Sequence, residues 1–307
     1  MRVVYLGSGD IGLPVLQWLG DAAGVELAGV VTQPDRPAGR GLQLKPCAIK
    51  ESALRFGVPV LQPERIRRPD AVAEIAALRP DLLVVMAYGQ ILPQELLDVP
   101  KIGALNLHAS LLPRHRGAAP VHAAVLADDA QSGITVMWMD AGLDTGDILL
   151  AKECPIGGDT TAGTLHDELA ALAPLALSEA LDLIREGRAP RTKQDETLAT
   201  YAPKLTRSSG AIDWAKSADD IARMVRGLHP WPGCTAELEL AGGKRITVKV
   251  HRAAATDRCS DPAQLLFSCG DGTVIALQEV QPPGGRRMES GDFVRGHKTV
   301  CAVNSKT

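Results

Sequence analysis

From residue 1 to about residue 188, short apolar runs alternate with stretches of helical period, and few folds accommodate that alternation. Strands covered on both faces read as continuous apolar runs, and the amphipathic segments between them supply the crossovers that parallel strands require. Strands are predicted at 3–6, 26–31, 58–61, 81–87, 104–107, 134–139 and 148–152. Helices are predicted at 13–19, 48–56, 69–78, 118–127 and 164–186, the last with Thr164 and Asp167 as a capping box and Gly187 as its C-terminal glycine. The fold class expected is α/β, with a doubly wound, mostly parallel sheet of Rossmann-like type over 1–188.

The pattern then changes. Residues 189–206 are polar and lack a sustained period, which predicts a linker crossing the surface. Beyond it, Ser217 is placed to cap a helix over 218–227, and alternating strands follow near 235–240, 245–252, 265–268 and 273–278. Gly242-Gly243 and Asp271-Gly272 are two-residue hairpin signals between those strands. A second domain over 207–307, a small OB-like β-barrel, is the expectation.

Composition narrows the function classes. The formal net charge of −3 argues against a chain that coats nucleic acid indiscriminately, because such binding is driven by excess Lys and Arg. The average conceals an asymmetry: residues 1–200 hold 18 Lys and Arg against 25 Asp and Glu, whereas 201–307 hold 15 against 11. Only the C-terminal third favours a polyanion. The six cysteines are scattered, with no CxxC and no paired histidines at ligand spacing, so thiols in a reducing compartment are expected rather than zinc or disulfides. The opening residues MRVVYLGSGDIG carry no signal-like region, and no apolar run approaches the roughly 20 residues that span a bilayer. A cytoplasmic monomer is the expectation.

The chemistry concentrates between 104 and 149. Residues two apart on a strand share a face, so Asn106 and His108 project together while Leu107 points into packing. Asp144 returns in a loop shaped by Gly142 and Gly146, and Arg114-His115-Arg116-Gly117 reads as an exposed basic turn. A histidine near a sheet end is often structural; here the setting at strand C-termini, the loop shaped by Gly142 and Gly146 with Asp140, Asp144 and Asp147, and the basic turn favour chemistry. An amide N–H can steady an oxyanion, an imidazole can move a proton, and a carboxylate can orient the imidazole, which together fit acyl transfer to an amine. With no GxSxG nucleophile, direct attack by the amine is the economical route.

Other features carry two readings. Gly7-Ser8-Gly9-Asp10-Ile11-Gly12 matches a dinucleotide fingerprint, but the following strand ends in Thr32-Gln33-Pro34 without the ribose-binding acid, and a tight strand-to-helix turn is preferred. The loop 32–46 is long and carries Arg36, Arg40 and Lys45, suited either to solvent or to phosphate contacts. Trp231 in His229-Pro230-Trp231-Pro232-Gly233 is assigned to core packing. Lys244, Arg245, Lys249, Arg252, Arg286, Arg287, Arg295 and Lys298 either line one face of the barrel or are scattered surface charges.

With these residues in view, the chain resembles the methionyl-tRNA formyltransferases, within the folate-dependent formyltransferase family, along nearly its whole length. The resemblance rests on TQPDRPAGRG at 32–41, VVMAYGQILP at 84–93, NLHASLLPRHRGAAP at 106–120, MDAGLDTGD at 139–147, QDETLATYAPKL at 194–205, IDW at 212–214, HPWPG at 229–233 and DFVRG at 292–296. It implies transfer of a formyl group from 10-formyltetrahydrofolate to the α-amine of methionine on initiator tRNA. Asn106 would hold the formyl oxygen, His108 would exchange the proton and Asp144 would orient His108. The folate would lie among Met86, Ala87, Tyr88, Gly89, Ile91, Leu92, Ser110, Leu111, Leu112, Pro113, Asp140, Gly142 and Leu143. Arg36, Arg40 and Lys45 would meet the acceptor end of the tRNA, with Lys204, Arg245 and Lys249 along its body, and no metal is implied. The chain departs from relatives at Ser8-Gly9-Asp10, at His115 and at Leu42-Gln43-Leu44. The competing readings are an amino-sugar N-formyltransferase and, from another class, an NAD-binding oxidoreductase or regulator.

Overall fold

The computed structural model describes residues 1–38, 43–240, 243–257, 264–297 and 299–302. Its first strands are β1 (Arg2–Gly7), β2 (Glu26–Val31), the short pair β3 (Arg36–Ala38) and β4 (Gln43–Lys45), and β5 (Val60–Leu61). These are followed by β6 (Leu82–Met86), β7 (Gly103–His108), β8 (Arg116–Gly117), β9 (Gln131–Trp138), β10 (Ile148–Pro155) and β11 (Tyr201–Ala202). The helices among them are α1 (Leu13–Asp21), α2 (Ala48–Ala53), α3 (Pro69–Ala77), α4 (Gln94–Leu97), α5 (Pro120–Leu126) and α6 (Ala162–Arg185).

Seven strands form one sheet in the order β10-β9-β7-β6-β1-β2-β5. The pairs among β5, β2, β1, β6 and β7 are parallel, and β9 and β10 close one side antiparallel. Val3, Val4, Tyr5 and Leu6 of β1 and Leu82, Leu83 and Val84 of β6 have no solvent exposure, as central strands covered on both faces require. β10 alternates buried and open positions, the signature of a strand with one wet face. From β1 the chain winds outward in one direction through β2 and β5, then in the other through β6 and β7. The crevice therefore lies outside the carboxyl ends of β1 and β6, where doubly wound sheets bind ligands.

The glycine-rich turn after β1 has a packing cause. A Cβ on Gly12 would stand 2.0 Å from the Tyr5 hydroxyl oxygen, and one on Gly7 would stand 2.5 Å from it. The buried phenol donates a hydrogen bond to the Gly12 carbonyl oxygen at 3.1 Å. Asp35, the late acid after β2, pairs with Lys50 at 2.7 Å and accepts from Gln62 at 2.8 Å. The glycines thus make room for an internal tyrosine, and the acid is engaged in holding its loop.

Helix α6 begins two residues before the predicted start. Thr164 N–H donates to Thr161 Oγ1 at 3.1 Å and Thr161 N–H donates to Thr164 Oγ1 at 3.0 Å, so the reciprocal box is Thr161 with Thr164 and not Thr164 with Asp167. At the other end Gly187, at φ +67, and Arg188 donate back to Ile184 and Leu183 in a Schellman pattern.

By their contacts, the residues fall into a unit of 1–121, 131–155 and 166–203 and a second unit of 122–130, 156–165 and 204–307. The second is built on α7 (Ala218–Gly227), capped by Ser217 through the Asp220 N–H, and on β12 (Cys234–Leu240), β13 (Arg245–Thr256), β14 (Leu265–Ser268) and β15 (Val274–Gln281). It ends with β16 (Met288–Glu289), α8 (Ser290–Gly296) and β17 (Thr299–Ala302), which the sequence pattern did not predict. Its sheet is antiparallel and curled, ordered β14-β15-β13-β12-β17, a half-barrel in keeping with the expected small barrel. Ile221, Val225, Leu238, Val248, Ile275 and Phe293 fill its core, with Trp214 tilted onto Phe267 at 4.9 Å. Trp231, assigned to core packing from its motif, is instead 50% exposed.

Overpacking a buried site costs about 1–3 kcal/mol. Gly12→Ala should therefore destabilise the first unit by about that amount, read as a lowered urea midpoint with unchanged slope.

Candidate active site

A cavity of about 500 Å³ opens at the crevice, a size suited to a drug-like or cofactor-sized ligand. Its wall comes from Ile11 after β1, from the β6 end and the loop beyond it (Val85 to Leu92), from 106–109 at the end of β7, and from Met137 and Met139 beside β9. Of the residues expected to hold the folate, Met86, Ala87, Tyr88, Gly89, Ile91, Leu92, Asp140, Gly142 and Leu143 line this space. Ser110, Leu111, Leu112 and Pro113 are not in its lining. They form the turn that follows β7: Ser110 Oγ donates to the Arg114 carbonyl at 2.7 Å, and Leu112 N–H donates to Thr135 Oγ1 at 3.0 Å. Gly117, Ala118, Pro120 and the two methionines line the cavity without having been anticipated.

Asn106, His108 and Asp144 converge on one side of the cavity. Strand alternation presents the first two together, paired across β7 and β9 with Met137 and Thr135. Asn106 Nδ2 donates to Asp144 Oδ1 at 3.4 Å, and Gly117 N–H donates to Asp144 Oδ2 at 2.8 Å. His108, 6% exposed, places Nδ1 3.7 Å from Asp144 Oδ2. Its other nitrogen, Nε2, lies 2.9 Å from the His115 carbonyl oxygen. A carbonyl only accepts, so Nε2 carries a hydrogen and Nδ1 is the nitrogen left to exchange a proton beside the carboxylate.

The backbone here is held in unusual conformations. Ala87, His115 and Asp144 have φ of +50°, +59° and +54°, three of the five such non-glycine residues among those described. Left-handed backbone outside glycine is sparsely populated and concentrates at functional sites. The turn 114–117 is not the exposed basic turn predicted from its charges. Arg114 is open, but His115 is buried and Arg116 has no solvent exposure.

Arg116 finds its partners in the segment predicted to be a polar linker. Its Nη2 lies 2.7 Å from Glu196 Oε1 and 2.7 Å from Gln194 Oε1, and Nε reaches the same Gln194 oxygen at 3.1 Å. β11 pairs in parallel with β8, so 190–203 is a strap fastened to the first unit. A carboxylate and an amide within the shared QDETLATYAPKL motif were the available signal for a buried guanidinium.

The basic loop 32–46 contains the β3–β4 hairpin, with Arg36 opposite Lys45 and both exposed. Arg40 lies outside the described residues, as does Lys298. In the second unit Lys204, Arg245 and Lys249 are exposed, and Arg245 faces Glu239 at 3.6 Å. Arg252 and Arg295 are also engaged, by Glu289 and Asp292, and Arg287 by Glu279. Among the described residues no group of three or more His, Cys, Asp or Glu is placed to hold a metal ion, and no helix is long and apolar enough to cross a membrane.

Residues 1–181 match the model of the formyl transferase family and residues 204–298 the model of its C-terminal domain. The fold and site thus have a class: the chain belongs to the formyl transferase family. Over 306 residues it is 43% identical to a methionyl-tRNA formyltransferase of Geobacter sulfurreducens, covering 97% of this chain and 94% of the relative. It is 46% identical over 306 residues to a methionyl-tRNA formyltransferase of Pseudomonas paraeruginosa, covering 99% and 98%. Among solved structures, the N-formyltransferase of Helicobacter canadensis in complex with folinic acid and dTDP-3-aminofucose has a TM-score of 0.64 at 16% identity, covering 90% of this chain and 98% of that one. That likeness is one of fold.

The Glu196 carboxyl is held below its usual value near 4.5, first by its hydrogen bond to Arg116. A depressed folded-state value stabilises the docked strap fully above the unfolded value and is lost as pH falls through the folded one. Protection of the Arg116 and Ala118 amides, bonded to the strap at 2.8 and 2.9 Å, should persist from neutral pH and fall below about pH 4.5. Glu196→Gln should remove that step in a hydrogen-exchange series.

Proposed function

We propose that this formyltransferase moves the formyl group of 10-formyltetrahydrofolate to the α-amine of methionine esterified to initiator tRNA. The observation that carries the chemistry is the meeting of Asn106, His108 and Asp144 at the wall of a cavity large enough for a folate. The acceptor follows from relatives named methionyl-tRNA formyltransferase that align across both units at 43–46% identity. For the amino-sugar alternative the solved N-formyltransferase at 16% identity offers a likeness of fold, which does not select the acceptor. Against the dinucleotide alternative, the Ser8 and Gly9 N–H groups of the glycine-rich turn donate to the Ala87 carbonyl, at 3.2 and 3.1 Å.

The co-substrate supplies a formyl carbon carried on nitrogen; the rest is the work of this chain. The amide nitrogen of Asn106 carries two hydrogens, and with one directed at Asp144 the other serves the formyl oxygen as it gains charge. His108 accepts a proton from the attacking amine at Nδ1 and delivers it to the departing nitrogen, while Nε2 stays bonded to the His115 carbonyl. Asp144 steadies the imidazolium formed between those events. The apolar wall of Met86, Leu92, Met137 and Met139 excludes water that would otherwise compete for the formyl carbon.

Within this reading residues 1–188, with the strap 190–203 fastened to them, do the catalysis, and 207–307 form the tRNA-binding domain. Arg36 and Lys45 on the hairpin, together with Arg40, meet the acceptor end, and Lys204, Arg245 and Lys249 meet phosphates of the tRNA body. The chain acts as a cytoplasmic monomer.

Incubation with 10-formyltetrahydrofolate and methionyl-initiator-tRNA tests the reading directly: formyl-methionyl-tRNA is expected, and activity confined to a nucleotide amino sugar would overturn it. His108→Ala and Asp144→Asn should each lower kcat by about 10²-fold or more while folate affinity is retained. Arg40→Ala should raise the KM for tRNA with kcat preserved. Lys249→Ala should reduce the slope of log affinity against log salt by about 1.

A further inference from the structure

Two loops set the distance between His108 and Asp144, and neither is a regular element. Asp144 sits in a left-handed conformation in the 140–147 loop, and His108 is anchored through the carbonyl of His115, itself left-handed. Conformations of this kind persist only where surrounding contacts over-determine them. One short segment contributes contacts to both loops.

Gln194 is the first half of the clamp. Its Nε2 donates to the Asp144 carbonyl and to the Gly146 carbonyl, both at 2.8 Å. Its Oε1 accepts from Arg116, which fixes the orientation of the amide because the guanidinium can only donate. Thr200 is the second half. Its Oγ1 accepts the His115 N–H at 2.8 Å, and its carbonyl accepts the Arg116 N–H at 2.8 Å. Gly117, at φ +110, has no side chain where the Ala202 carbonyl would meet one at 2.8 Å, so the strap can lie directly on the strand.

We infer that Gln194 and Thr200 are positioning residues that set the His108–Asp144 geometry from a single strap, and hence the proton transfer assigned to His108. This rests on the proposed reaction. Apart from the Arg116 guanidinium, their partners include the backbones of the two loops that carry the site. A purely structural role would lower stability and leave the chemistry of the folded enzyme unchanged.

The test uses the full chain with Gln194→Glu, Thr200→Val and Thr200→Ser. Gln194→Glu keeps the shape but removes the donors to the two carbonyls. Thr200→Val keeps the shape but removes the acceptor for His115, and Thr200→Ser restores it. Misplacing a catalytic group by about 1 Å costs on the order of 10²-fold, so Gln194→Glu and Thr200→Val should each lower kcat by about 10- to 100-fold. KM for both substrates should stay within about twofold, Thr200→Ser should retain wild-type kcat, and the acidic limb of the kcat profile should move. The His108 imidazole resonances, followed by NMR through a pH titration without substrates, should shift in both disabling variants. That readout stands even if the wild-type chain formylates no methionyl-tRNA, a result that would sink the reaction but not the clamp. Folded variants with wild-type kcat, an unmoved profile and an unmoved His108 titration would overturn the inference. So would loss of fold in both disabling variants, which would make the strap a structural element only.

Discussion

A guanidinium with no solvent exposure organises the region around the site. Arg116 cannot shed its charge, and a buried cation is tolerated only when its donors are matched. Gln194 and Glu196 match them, and in doing so they draw an otherwise polar segment onto the catalytic unit. The cation also fixes which way the Gln194 amide faces, leaving its nitrogen for the carbonyls of Asp144 and Gly146. Charge satisfaction, the path of the strap and the placement of Asp144 are thus one arrangement.

Much of the fold was legible because burial and period coincide. β1 and β6 are covered on both faces and read as unbroken apolar runs, and β14 and α7 fall on their predicted residues. What was not legible depends on partners distant in sequence. β17 is recognisable as a strand by pairing with β12. The start of α6 is decided by two threonine hydroxyls that serve each other and not by the acid one turn later. Trp231 was placed in the core on its motif, yet Trp214 and Phe267 already fill aromatic space in that unit.

The site divides in the same manner. The i, i+2 relation of Asn106 and His108 follows from strand geometry, and the convergence of Asp144 was a reasonable wager on a glycine-shaped loop. Charge alone misled at Arg116, because a basic run usually marks solvent and here one member is internal. Ser110 to Pro113, expected as ligand contacts from a shared motif, are absent from the cavity lining and are tied instead to Arg114 and Thr135. A motif records that residues matter together without distinguishing touching the ligand from shaping the wall.

The strap bears on where the chain can be divided. Ala202, the last strap residue whose carbonyl holds the first unit, stands two residues before Lys204, where the second unit resumes. The change of composition near residue 188 marks the end of a helix and not the end of the folded unit. A chimaera joined at 188 would give one parent's catalytic loops another parent's clamp, while a junction at 203 would transfer the clamp with the loops it grips. A C-terminal unit exchanged between relatives therefore leaves the loops and their strap from one parent only when the seam falls after the strap.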